Sequence, residues 1–140
     1  MRVAKDLMKT CYMMYERQPS GISPEYVRWN PGMTVGDGAY HLRPYVALNK
    51  ACLHGRLLCR EVVESIFVLW RTTHDPVYRQ YGWNIFQVFA KHCKVADGGY
   101  VGLRDVRNPG SKLDKMESFF LAETLKYLYL LFSSDDLIPL

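Results

Sequence analysis

The four cysteines, at 11, 52, 59 and 93, make no CxxC pair, which excludes a zinc ribbon and a thioredoxin-type redox motif. Cys52, His54 and Cys59 lie close together, but so short and irregular a triplet is not a zinc-ligand pattern. No stretch reaches the roughly 18 apolar residues of a membrane span, and the charged first nine residues contain no apolar signal-peptide core. Charge runs are absent too. The 18 basic and 14 acidic groups, net +4, are scattered rather than gathered in a stripe, so no nucleic-acid partner is expected. No fixed repeat period appears, which disfavours a helical-repeat scaffold.

What is present is a chain able to build a core. Of 140 residues 49% are apolar and 14% aromatic, which fits one globular domain or a piece of a larger one. Apolar residues at 3, 7, 8, 11, 12, 14 and 15 keep a period near 3.6 and predict an amphipathic helix over 3–16. The run 19–24 ends it, and a Pro-, Gly- and Asn-rich loop follows to Tyr40, with a short strand at 25–29. A second helix is predicted over 61–73. Asp75 then caps a third, with Pro76 in the favoured first position and helical spacing maintained to Cys93. Turn residues over 97–110 predict a short β-hairpin near 98–107. Long helices with almost no strand define an all-α fold.

The last predicted helix, over 114–132, is apolar on nearly every side and so belongs in an interior. Glu123 sits in its middle, and a buried acid is kept where it is paired, hydrogen-bonded or chemically used. Phe119 precedes it by four residues, placing an aromatic plate and a carboxylate on one helical face. That pairing suits a sugar ring. It also suits a structural acid held by backbone donors or by a buried arginine, and the helix alone does not choose.

Six ordered motifs carry a resemblance: Thr10-Cys-Tyr-Met-Met-Tyr15, Ser20-Gly-Ile-Ser-Pro-Glu25, Glu61-Val-Val-Glu-Ser-Ile-Phe67, Asp75-Pro-Val-Tyr-Arg-Gln-Tyr-Gly-Trp83, Gly98-Gly-Tyr-Val-Gly-Leu-Arg-Asp-Val106 and Lys115-Met-Glu-Ser-Phe-Phe-Leu-Ala-Glu-Thr-Leu-Lys-Tyr-Leu-Tyr129. Together they resemble the C-terminal part of the class I α-1,2-mannosidases, glycoside hydrolase family 47, of the endoplasmic reticulum and Golgi. The resemblance implies an (α/α)7 barrel, of which residues 1–140 would be roughly the C-terminal half of a single catalytic domain. It further implies a calcium-containing pocket for terminal α-1,2-linked mannose of high-mannose N-glycans, hydrolysis with inversion, and a lumenal site of action. Any membrane attachment would come from an anchor outside this chain.

Position by position, the resemblance assigns Glu61 as the general base, a role that the positive end of a helix favours by keeping the carboxylate ionised. It assigns Phe119 as the stacking ring, Glu123 as the buried pocket acid and Arg43, of His41-Leu-Arg-Pro44, as a substrate-binding residue. Glu64 and Glu123 would order water around calcium, whose direct threonine ligand is expected beyond Leu140. The general acid and the second catalytic carboxylate, and the disulfide partner of Cys11, are expected upstream of Met1.

The chain departs from the family pattern at one junction. Removing residues 45–60 would join His-Leu-Arg-Pro directly to Glu-Val-Val-Glu-Ser, so we read them as an insertion. The alternative alignment sets Leu58-Cys59-Arg60-Glu61 against Leu-Arg-Pro-Glu and loses both Arg and Pro. As a helical extension the insertion separates Arg43 from Glu61 by about 24 Å; as an excursion it leaves the ends close at little entropic cost. Two functions follow. One is a glycosidase whose isolated 140-residue segment is inactive, and the other is a non-catalytic helical module that binds glycan or protein.

Overall fold

The computed structural model describes residues 1–24, 26–29, 40–43 and 61–139, with side chains for 1–24 and 62–139. Among these residues the elements are α1 (Arg2–Glu16), β1 (Tyr26–Trp29), β2 (Tyr40–Arg43), α2 (Glu61–Thr73), α3 (Pro76–His92), β3 (Gly102–Leu103), β4 (Lys112–Leu113), a π-helical segment (Phe120–Leu125), α4 (Lys126–Phe132) and a 3-10 turn (Asp135–Leu137). The predicted insertion at 45–60 and the triplet of Cys52, His54 and Cys59 lie outside the described residues.

Helix α2 is the hub, packing against α1, α3, α4 and the π segment. Its sequence explains this: Val62, Val63, Ile66, Phe67 and Leu69 cover more than one face and are all buried. The two-residue link 74–75 makes α2 and α3 antiparallel neighbours. His74 ends α2 in the left-handed region, at φ 50°. Asp75 then accepts from the Val77 N–H through Oδ1 at 3.1 Å, with Pro76 at the first helical position, as the sequence predicts.

Two stripes of apolar residues run along α1, and the core takes one. Met8, Tyr12 and Tyr15, spaced i, i+4, i+7, are buried, whereas Val3 and Leu7 are 69% and 61% exposed. Tyr12 stacks on Tyr81 of α3 with ring centroids 3.8 Å apart. The largest fully buried side chains, Phe89, Phe120, Ile66, Ile85, Leu103 and Leu131, come from α2, α3, the β3 region and the last helix. At the far end of α3 and α4, Arg79 donates from Nε to the Leu131 carbonyl at 3.0 Å and lies 4.1 Å over the Trp70 ring.

The strand predicted at 25–29 has a partner that local sequence does not disclose: β1 pairs antiparallel with β2, Tyr26 opposite Arg43 and Trp29 opposite Tyr40. The second hairpin runs beyond the predicted window of 98–107, because β3 pairs with β4 at 112–113, with Gly102 opposite Leu113. A bridge between Lys94 and Tyr100 closes the preceding turn, where Gly98 and Gly99 adopt φ of 89° and 98° that side-chain-bearing residues avoid.

The predicted helix over 114–132 differs most. Residues 114–117 are not helical, and Phe120–Leu125 winds as a π-helix before α4 resumes α geometry. Nor is the segment buried on all sides: Phe120, Thr124, Leu128 and Leu131 face the core, while Leu121 is 54% and Tyr129 68% exposed. The uniform apolarity of this stretch therefore serves a single packed stripe. Trp83, Phe86, Leu125, Tyr129 and Phe132 line an open apolar groove of about 400 Å³ between α3 and α4.

Candidate active site

Glu61 is the first residue of α2 and Glu64 lies one turn further on. The first turn of α2, which includes Glu64, carries the positive end of the helix macrodipole, which favours anions there. Glu64 is half-buried and its Oε1 accepts from the Tyr127 O–H at 2.7 Å, a charge-assisted bond that ties α2 to α4. The Tyr127 ring also lies 5.8 Å from that of Phe67, and the Lys126 ammonium sits 4.2 Å from its centroid.

Tyr127 reports on both acids. Its hydroxyl is pushed up to about 12, first by the hydrogen bond to Glu64, then by burial, then by the negative charges of Glu64 and Glu123. Glu123 contributes to that rise from the π segment, four residues before Tyr127. Phe119, half-buried, lies four residues before Glu123, so Phe119, Glu123 and Tyr127 form one face while Phe120 and Thr124 turn to the core. A π turn inside an α-helix is frequent at functional sites, since it redirects side chains without ending the helix.

The structure thus joins Glu64 to Tyr127, on the helical stretch that carries Glu123 and Phe119 one and two turns earlier. Glu61 is placed by its backbone at the head of α2, one turn from Glu64. Arg43 is placed at the end of β2, opposite Tyr26. The side chains of Glu61 and Arg43 lie outside the described residues. Tyr127 escaped the sequence reading, although the same four-residue spacing that joined Phe119 to Glu123 reaches it in one more step.

Among the described residues no three His, Cys, Asp or Glu side chains are grouped to hold a metal ion. Ca²⁺ requires six to eight oxygen ligands, so two carboxylates and a phenol cannot form its direct cage. The hard, anionic oxygens of the two carboxylates suit the layer outside it, accepting hydrogen bonds from water on the ion. The described Cys11 and Cys93 are both free.

The described residues build a helical domain in which Glu64, in the first turn of α2, is bonded to the helical stretch that carries Phe119 and Glu123. The profile of glycosyl hydrolase family 47 matches residues 1–140 throughout. The chain is 45% identical, over its whole length, to an Arabidopsis thaliana mannosyl-oligosaccharide 1,2-alpha-mannosidase, of which it spans 23%. It is 43% identical over 96% of its length to the human endoplasmic reticulum mannosyl-oligosaccharide 1,2-alpha-mannosidase, of which it spans 19%. Its fold superposes on an alpha-1,2-mannosidase from Trichoderma reesei with a TM-score of 0.72 and 26% identity, covering 91% of this chain and 27% of that one. The chain belongs to glycosyl hydrolase family 47, and its fold is the all-α, partial (α/α)7 barrel that the motifs imply.

Proposed function

We propose that this segment is the C-terminal part of a catalytic domain that removes terminal α-1,2-linked mannose from high-mannose N-glycans, with inversion and with calcium. The observation that carries the reading is the hydrogen bond between Glu64 and Tyr127, which ties the first turns of α2 to the helical stretch that carries Phe119 and Glu123. The names of the relatives point to the same substrate class, and the human one to the endoplasmic reticulum. We extend that to a secretory-pathway lumen, endoplasmic reticulum or Golgi.

In this reading Phe119 presents its ring to a face of the mannose and Glu123 accepts from its hydroxyls. Glu61 is the general base. It takes a proton from a water that attacks the anomeric carbon as the bond to the leaving oxygen breaks, and that oxygen receives a proton from an acid on another part of the domain. Inverting hydrolysis sets the two carboxyls roughly 6.5–9.5 Å apart to admit that water. Arg43 binds the substrate in this scheme. Calcium, when bound, supplies a hard cation that fixes sugar oxygens, and Glu64 and Glu123 hold its water shell.

The test is release of mannose from a high-mannose oligosaccharide by the protein purified at its native length. Turnover is expected, with a roughly 10²–10⁴-fold loss on Glu61→Gln. The 140-residue chain alone is expected to release none. Unchanged turnover in the Glu61→Gln protein would remove Glu61 from the mechanism. Calcium-dependent binding with no release by the native-length protein would replace the hydrolase with a glycan-binding module.

A further inference from the structure

Tyr127 meets α2 at two points. Its ring centroid lies 5.8 Å from that of the buried Phe67, and its hydroxyl donates to Glu64 Oε1 at 2.7 Å. Glu64 and Phe67 are three residues apart, so they lie on one face of α2, a turn from each other. A phenol is rigid beyond its two side-chain torsions, so contact of its ring with Phe67 sets the height along α2 at which the hydroxyl arrives. The Lys126 ammonium, 4.2 Å from the ring centroid, lies over the same ring.

Glu64 has a longer and looser side chain. A half-buried glutamate in the first turn of a helix has several rotamers open to it, and a charge-assisted bond from a fixed hydroxyl selects among them. The hydrogen bond to Glu64, burial and nearby negative charge push the phenol up to about 12, so it remains a donor through the whole neutral range. That bond engages Oε1. Among the described residues Glu64 has no second hydrogen bond or ion pair, which leaves Oε2 as an acceptor.

If the pair served only to join α2 to α4, apolar side chains of the same shape would do as well, because withdrawing a carboxylate from water is itself costly. A phenol that orders a carboxylate whose other oxygen is in use accounts for that cost. We propose that Tyr127 is a positioning residue of the candidate active site: it holds Glu64 so that the second carboxylate oxygen accepts from water in the outer layer of calcium. Tyr127 acts on the reaction only through Glu64. The proposal rests on the mannosidase reading for the ion and its place.

Calorimetric titration of calcium into the native-length protein and its variants tests it, with mannose release measured alongside. Tyr127→Phe is expected to weaken calcium binding roughly three- to tenfold, less than the 10–100-fold typical when an outer partner is itself removed. In the Glu64→Ala background the same substitution should weaken it no further, because the bond it removes is already gone. Met8→Ala, which deletes buried packing on α1, controls for stability alone: it should lower the melting temperature and leave calcium affinity unchanged. Unchanged affinity in Tyr127→Phe, an equal loss with and without Glu64, or a matching loss in Met8→Ala would each overturn the positioning role and spare the proposed function. A native-length protein that neither binds calcium nor releases mannose would overturn both.

Discussion

Tyr127 donates its phenolic hydrogen to Glu64 across 63 positions of sequence, the two oxygens 2.7 Å apart. Replacing the tyrosine by phenylalanine keeps the ring against Phe67 and removes only that bond. The expected cost is roughly 1.5–3 kcal/mol, the range for hydrogen bonds to charged groups. It should appear as a lower urea midpoint at unchanged slope.

The same bond makes stability depend on alkaline pH. The phenol titrates near 10 in the unfolded chain and is pushed up to about 12 in the folded one. The folded state thus holds the proton more tightly, so this contribution is fully present below pH 10 and disappears as pH rises through 12. Urea midpoints measured across that interval should fall more steeply for the native sequence than for Tyr127→Phe. Parallel curves would remove Tyr127 as the cause.

Glu64→Gln keeps an oxygen that can accept from Tyr127 but discards the charge, and Glu123→Gln discards the charge of the acid in the π segment. If both order water around calcium, each substitution should weaken calcium binding by the native-length protein about 10–100-fold, as outer-layer changes do at metal sites. Calorimetric titration measures it. Unaltered calcium affinity in both variants would confine these acids to sugar contact or packing.

Gly82 lies where α3 meets α4, and a Cβ built there overlaps the Leu131 methyl and touches Leu128. Leu131 is fully buried, so its methyl can move aside only by shifting packed neighbours. An exchange of glycine for alanine within a helix ordinarily gains up to about 1 kcal/mol, but overpacking costs about 1–3. Gly82→Ala is therefore expected to lower the melting temperature; a rise would mean that the α3–α4 contact is looser than described.

Cys93 is buried, and that burial pushes its thiol up to about 12, against a smaller opposing pull from Lys112. Cys11 is only half-buried, with its thiol raised by the same cause. Alkylation of the folded protein at pH 8 should therefore label the peptide containing Cys11 well before the one containing Cys93. Equal rates, read by mass spectrometry, would show that the α3 terminus opens readily.

Much of this architecture is legible locally. The Asp75–Pro76 start of α3 and the span of α2 are written in capping chemistry and in short-range apolar spacing, both of which act within one or two turns. Pairing of β1 with β2 is a longer-range matter, and nothing in 40–43 read alone announces a strand. The π segment is hidden for another reason: in a stretch apolar on all sides, four- and five-residue spacings leave the same pattern, so no polar residue marks where the winding changes. The acids at 64 and 123 are legible one by one through the family motifs. The hydrogen bond of Tyr127 to Glu64 emerges only when α2 and α4 are packed together.

The π segment has a consequence for how this region can change. A π turn takes up more residues than an α turn and can gain or lose one without ending the helix. Here Phe120 and Thr124, inside the wide segment, share the buried stripe with Leu128 and Leu131, while Leu121 and Ala122 lie on the exposed side. Substitutions at 121 and 122 need not disturb that stripe, whereas deletion of a single residue within 120–125 would have to be absorbed by rewinding the segment with α geometry.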